Sequence, residues 1–263
     1  MMATTRVIAV ANQKGGVGKT TTAINLATAL AACDQRCLLI DMDPQSNATT
    51  GLGCERPVAS DSIYGVLLQD RDLGALTLAT KVPRLSLVPA TVDLAGAEVE
   101  LGQAGEGREG RLKRALEAQK EHYDYILIDC PPSLGFLTLN ALVAADAVLV
   151  PLQAEYYALE GLSHLTRTIE RVKRGYNARL EILGVVLTMV DRRTTLSEMV
   201  EADVRQHMGK LVYETSIPRN VRMSEAPSHG LPALLYDLKC QGSQAYLRLA
   251  SELLRREGER VAA

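Results

Sequence analysis

Two lysines, three glycines and a threonine in the run Gln13-Lys14-Gly15-Gly16-Val17-Gly18-Lys19-Thr20 have the types and spacing to hold a chain of phosphates. Glycines at Gly15, Gly16 and Gly18 let consecutive backbone N–H groups turn toward one anion, because no side chain blocks the approach. The apolar run Val7–Ala11 precedes the loop, and a helical pattern from Lys19 through Thr21 and Ala27 follows it. Strand, glycine loop and helix form the context a phosphate loop requires. The helix start adds its partial positive charge, Lys19 is positioned to reach β- and γ-phosphates, and the Thr20 hydroxyl is positioned to ligate Mg²⁺.

Two carboxylate segments supply the remaining chemistry. Asp41-Met42-Asp43-Pro44-Gln45-Ser46-Asn47 ends a buried-strand pattern, and ligands of open α/β sheets bind outside such ends. Asp43 is placed to orient a water near a γ-phosphate or to hold Mg²⁺ through water, and the polar residues after Pro44 read as a switch loop. Tyr125-Ile126-Leu127-Ile128-Asp129 is a second apolar strand ending in an aspartate, which places Asp129 near the Mg²⁺ shell. Pro131 and Pro132 then force an extended path suited to a second switch that senses the γ-phosphate.

These groups need a rigid frame, and the rest of the chain describes one. Short β-branched runs recur at 37–41, 85–88, 125–129, 147–150 and 182–187, separated by helical patterns at 111–121, 137–144, 157–174, 196–208 and 242–257. Continuous apolar strands alternating with helices predict an α/β fold: one doubly wound, mostly parallel sheet with helices on both faces. No linker divides residues 1–263, so a single domain is expected. The glycine-rich segment from Gly102 to Gly110 reads as a flexible connection or a frayed helix start. With 47% apolar and 23% charged residues, no Trp and one Phe, the core rests on Leu, Val, Ile and Ala.

A formal charge of −2 gives no global attraction to nucleic acid, so any such contact needs a local patch. The five cysteines, Cys33, Cys37, Cys54, Cys130 and Cys240, contain no C-x-x-C pair. An odd count beside a nucleotide loop indicates a reducing cytoplasm and argues against a metal cluster. No apolar run is long enough to span a bilayer. The final helical pattern balances Arg248, Arg255 and Arg256 against Glu252, Glu257 and Glu259, which fits a helix packed on the sheet better than a membrane-targeting tail. His229 lacks metal-ligand partners and reads as structural.

The loop form K-G-G-x-G-K-T, with Gln13 where the first glycine of the general pattern belongs, resembles the deviant Walker A loop of the ParA/MinD group of P-loop ATPases. Gln153-Ala154-Glu155-Tyr156-Tyr157-Ala158-Leu159-Glu160-Gly161-Leu162 is similar to that group's Q-x-E-x-x-A-L-E-G-L segment. Ile217-Pro218-Arg219-Asn220-Val221-Arg222-Met223-Ser224-Glu225-Ala226-Pro227-Ser228-His229-Gly230 resembles the I-P-R-N-V-R-x-S-E-A-P-S-x-G block of the chromosomal ParA/Soj proteins. The resemblance covers nearly the whole chain, more weakly over 55–120.

What the resemblance implies is specific. An ATP-bound homodimer sandwiches two nucleotides, with Lys14 reaching the partner's phosphates and Asp43 needed for hydrolysis. Glu155 lies at the dimer interface near the nucleotide. Thr188-Met189-Val190-Asp191 ends a strand where relatives read the base; the guanine-reading N-K-x-D is absent, so ATP is favoured over GTP. The nucleotide set is then Lys14, Gly15, Gly16, Val17, Gly18, Lys19, Thr20, Thr21, Glu155, Met189, Pro218 and Asn220, with Ser216–Asn220 closing over the adenine. Mg²⁺ falls to Thr20, Asp43 and Asp129. Arg219, Arg222 and Arg193, with its neighbour Arg192, form a surface for nonspecific double-stranded DNA. The further implications are release on hydrolysis, stimulation by a ParB-like centromere-binding partner, a cytoplasmic, nucleoid-associated location and no stable membrane association. Alternatives are a MinD-like membrane-cycling ATPase or a ParA-like cargo-positioning ATPase.

Overall fold

In the computed structural model, residues 5–155, 158–191 and 193–262 are described. Seven strands form one sheet in the order β3-β4-β2-β5-β1-β6-β7. They are β1 (Arg6–Val10), β2 (Cys37–Asp41), β3 (Leu78–Ala79), β4 (Leu85–Val88), β5 (Tyr125–Asp129), β6 (Ala147–Gln153) and β7 (Glu181–Thr188). Every pairing is parallel except β3 on β4. The helices are α1 (Lys19–Ala32), α2 (Asn47–Gly51), α3 (Ile63–Gln69), α4 (Leu94–Gln103), α5 (Arg111–Glu117), α6 (Phe136–Ala144), α7 (Ala158–Gly175), α8 (Thr195–Met208), α9 (Val221–Glu225), α10 (Ala233–Tyr236) and α11 (Gln241–Ala262).

Strand alternation builds two apolar layers. Val7 and Ala9 of β1, with Leu38 and Ile40 of β2, face a layer completed by Leu94, Leu101, Leu142 and Leu165. Ile8 and Val10, with Leu39 of β2, face the opposite layer, which contains Leu26 and Leu30 of α1 and Leu249 and Leu253 of α11. Successive side chains of a strand point to opposite faces, so a strand covered on both sides must be apolar at every position. β2 and β5 are buried along their whole length, their terminal aspartates included.

Two features of the fold depart from what the sequence alone suggests. α3, α4 and the short edge strand β3 lie in the region without motifs. Gly102 and Gln103 end α4 and residues 104–110 turn into α5, held where the Arg108 guanidinium donates to the carbonyls of Leu101 and Ala104 at 3.3 and 3.1 Å. The last helix joins the apolar layer over the sheet, as expected, and also packs along α1, where the Tyr246 and Thr22 hydroxyls lie 3.0 Å apart.

The topology determines where a ligand can sit. From β1 the chain passes through α1 to β2, on one side; β6, on the other side of β1, follows β5 through α6. The strand order therefore reverses around β1, and the crevice at such a switch point is the binding position of open α/β sheets. The glycine loop leaves β1 at that point.

Candidate functional site

The glycine loop takes its shape from positive φ angles and two ties to the sheet. Gly16 and Gly18 stand at φ 76° and 86°, a left-handed backbone that side chains disfavour. No atom lies within 4 Å of a Cβ built on Gly15 or Gly16, so the loop's inner side is open. Buried Asn12 donates to the Pro151 carbonyl at 2.7 Å and accepts from the Lys14 amide at 3.1 Å. On the other side the Thr188 hydroxyl donates to the Val17 carbonyl at 2.8 Å. The loop is thereby fixed to β6 and β7 as well as to β1. Neither tie was visible in the sequence; a polar Asn directly after a buried strand is the one available signal for the first.

Lys19 is buried at the head of α1, its ammonium donating to the Lys14 carbonyl at 3.0 Å. Burial lowers its pKa, and the Asp129 and Asp43 carboxylates act in the opposite direction. Lys14 instead is exposed and forms an ion pair with Glu155 of the same chain.

The carboxylates stand below the loop. Asp41 and Asp129 are register partners at the ends of β2 and β5. The Thr49 amide and hydroxyl donate to Asp41 Oδ2 at 2.8 and 2.7 Å, and the Asp43 amide donates to Oδ1 at 3.1 Å. Asp41, which the sequence reading left without a role, thus fixes the backbone of Asp43 and the start of α2. Asp43 in turn accepts from the Gln45 amide at 2.9 Å. Burial is the main cause that raises the Asp41 pKa to about 6.

Asp129 is wholly buried and, among the described residues, neither of its carboxylate oxygens has a hydrogen-bond partner. Burial, then the neighbouring Asp41 charge, raises its pKa well above the usual carboxylate range; the Thr20 hydroxyl and Lys19 act the other way. A buried carboxylate without partners requires an explanation, and a cation beside it is the simplest. Among the described residues no group of three or more His, Cys, Asp or Glu is arranged to hold a metal ion. The donor set Thr20, Asp43 and Asp129 fits Mg²⁺, which takes few protein ligands and completes its shell with phosphate and water.

Beside the loop a cavity of about 350 Å³ is lined by Gly16, Gly18, Thr21, Met189, Pro218 and Asn220 among others. The base-binding positions expected from the sequence are therefore gathered against the phosphate loop. Met189 stands at φ 51° and the Asn220 side chain caps α9 by accepting from the Arg222 amide at 2.9 Å.

The three expected arginines differ in their surroundings. Arg193 is held by Asp191 through two bonds of 2.8 and 2.7 Å, and that contact keeps the Asp191 carboxyl well below the usual range. Arg222 donates to Glu225 at 2.8 Å and lies 3.6 Å from Asp237. Arg219 is exposed and has no ion pair among the described residues. Arg193 and Arg219 border one groove of about 850 Å³ together with Lys239 and Arg248, and Arg222 is outside its lining. Arg192, Tyr156 and Tyr157 lie outside the described residues.

A family model described as an AAA domain matches residues 5–182. The chain is 60% identical to the chromosome partitioning protein ParA of Caulobacter vibrioides over 259 residues, 98% of this chain and 97% of that one. It is 54% identical to the sporulation initiation inhibitor protein Soj of Bacillus subtilis, over 94% of this chain and 98% of that protein. The fold superposes with a TM-score of 0.84 on a structure named as Mycobacterium smegmatis cobyrinic acid a,c-diamide synthase with bound ADP and magnesium, at 42% identity over 97% of this chain and 96% of that one. With the glycine loop, its second lysine and the paired strand-end aspartates in place, the chain belongs to the ParA/Soj family of P-loop partitioning ATPases.

Proposed function

We propose that this chain is a Mg²⁺-dependent ATPase that closes into a dimer on ATP, holds double-stranded DNA without sequence preference, and releases it on hydrolysis. The observation that carries the reading is the partnerless Asp129 beneath a glycine loop that holds one lysine, Lys19, inside and a second, Lys14, at its rim. The M. smegmatis structure, named with ADP and magnesium, supports the same nucleotide and metal here.

Residue roles follow from position. The loop amides and the Lys19 ammonium bind the β- and γ-phosphates, and α1 adds its positive end. Mg²⁺, held through Thr20, Asp129 and Asp43, supplies neutralisation of phosphate charge. Met189, Pro218 and Asn220 enclose the adenine. Asp43, whose backbone is fixed by Asp41, orients the attacking water. Lys14 leaves Glu155 and reaches the partner's phosphates, where a positive charge stabilises charge developing in the transition state.

The DNA surface consists of Arg193, Arg219 and Arg222, doubled by dimerisation. Such contacts go to phosphates and give salt-sensitive binding without base readout. A ParB-like partner stimulates turnover and with it release from DNA, so the ATP-bound dimer is the form that resides on the nucleoid. Among the described residues no helix is long and apolar enough to cross a membrane.

Sedimentation velocity of Asp43→Ala with Mg²⁺ and ATP, ADP or neither tests the dimer. The reading requires a dimer with ATP alone; a monomer in all three conditions contradicts it.

A further inference from the structure

The segment that follows Asp129 is fixed at its near end by β5 and at its far end by a residue from a different helix. α6 begins at Phe136, and Gly135, the residue before it, has no side chain to cap it. The Glu98 carboxylate of α4 takes that place: the Phe136 amide donates to Oε2 at 2.6 Å and the Leu137 amide to Oε1 at 3.1 Å. Two of the four unpaired N–H groups of a helix start are thus satisfied by one carboxylate, whose charge also suits the positive end of the helix. Gly135 is shaped to this contact. A Cβ there would lie 2.3 and 2.4 Å from the two Glu98 oxygens, although the residue's own φ of −84° suits any amino acid.

We propose that Glu98 is a positioning residue for hydrolysis: by clamping the head of α6 it fixes the exit of the segment 130–135, and through it the placement of the Asp129 side of the site during turnover. The proposal rests on the ATPase reading. Pro131 and Pro132 fix two of the φ angles between the anchors, and the Thr138 hydroxyl of α6 donates to the Ser133 carbonyl, so few backbone angles are left to absorb a displacement at Gly135. Glu98 lies 38 residues before Phe136 in sequence and belongs to neither strand-end motif.

Two variants disturb the clamp from opposite sides. Glu98→Gln keeps the shape but replaces one acceptor with an NH₂ group facing an amide donor. Gly135→Ala leaves Glu98 charged and pushes its flexible end away. The measurements are steady-state ATPase with Mg²⁺, affinity for a fluorescent ATP analogue, and amide exchange over 130–137. The expected result is a fall in kcat of about tenfold in each variant, nucleotide affinity within about twofold of wild type, and faster exchange at Phe136 and Leu137. The double variant should be no slower than either single one, because both remove one contact. Unchanged kcat in either variant, a parallel loss of nucleotide affinity, or additive losses overturns the role of Glu98. A wild-type chain without turnover overturns the ATPase reading, and the proposal with it.

Discussion

Asp41 and Asp129 stand opposite each other at the ends of adjacent strands, both fully buried, yet only Asp41 has hydrogen-bond donors. Both pKa values are raised by burial, Asp41 to about 6 and Asp129 well above the usual range. A carboxyl raised on folding stabilises the fold in its protonated form. That contribution is complete below about pH 4, the unfolded carboxyl range, and is lost as pH rises through the folded value. In EDTA and without nucleotide, Asp129→Asn should therefore match wild type near pH 4 and become progressively the more stable of the two above it. The gap should grow by at most about 1.4 kcal/mol per pH unit, read from urea unfolding at several pH values. A constant difference across pH contradicts an uncompensated Asp129.

The two lysines of the loop should separate binding from assembly. Lys19→Ala removes a buried charge-assisted contact and should weaken ATP binding by about 10- to 100-fold. Lys14→Ala removes only an exposed pair with Glu155, a change worth up to about 1 kcal/mol of stability, and should leave ATP binding by the monomer intact. The same variant should form no dimer with ATP. Isothermal titration for affinity and sedimentation for assembly distinguish the two; loss of ATP affinity in Lys14→Ala would count against a role across the dimer.

Gly53, just after α2, and Gly230, in the C-terminal block, meet by direct backbone contact. A Cβ on Gly53, at φ +73°, would lie 2.6 Å from the Gly230 carbonyl oxygen. Gly53→Ala should cost about 2–4 kcal/mol, combining left-handed strain with overpacking against backbone. Gly161→Ala, within α7 and with nothing within 4 Å, should instead stabilise the chain by about 0.5–1 kcal/mol. Thermal unfolding of both variants checks the contrast.

The parts of the site legible in the sequence are those built from consecutive residues. The glycine loop, the strand ending at Asp43's segment and the strand ending at Asp129 each carry their chemistry within one turn of chain, so residue type and neighbour suffice. Asp41 was overlooked because its function is a contact to Thr49, from α2, rather than to a ligand. Asn12 with Pro151, Thr188 with Val17 and Glu98 with Phe136 are tertiary hydrogen bonds that no local pattern announces. α4 was missed for another reason. Its buried face, Leu94, Ala97 and Leu101, has helical spacing, but Gly96 and Gly102 obscure it. The arginine block identified the residues and not their partners: only the fold places Asp191 on Arg193 and leaves Arg219 without an ion pair among the described residues.

That difference among the arginines has its own consequence. To hold DNA as proposed, Arg193 and Arg222 must exchange carboxylate partners for phosphate, whereas Arg219 has no ion pair to exchange among the described residues. Arg219→Glu should therefore weaken duplex binding most, and removing one phosphate contact per subunit should flatten the slope of log affinity against log salt by about 0.9 per contact on B-DNA. Fluorescence anisotropy across a salt series measures both effects, and equal losses for all three single variants would contradict the ranking.

The most direct test of the account is duplex DNA binding by Asp43→Ala with ATP, ADP or no nucleotide, each at two salt concentrations. The account predicts binding with ATP alone, weakened by salt and abolished by adding Lys14→Ala or Arg219→Glu. Binding that is independent of nucleotide, or none in any state, would contradict an ATP-closed dimer as the DNA-holding form.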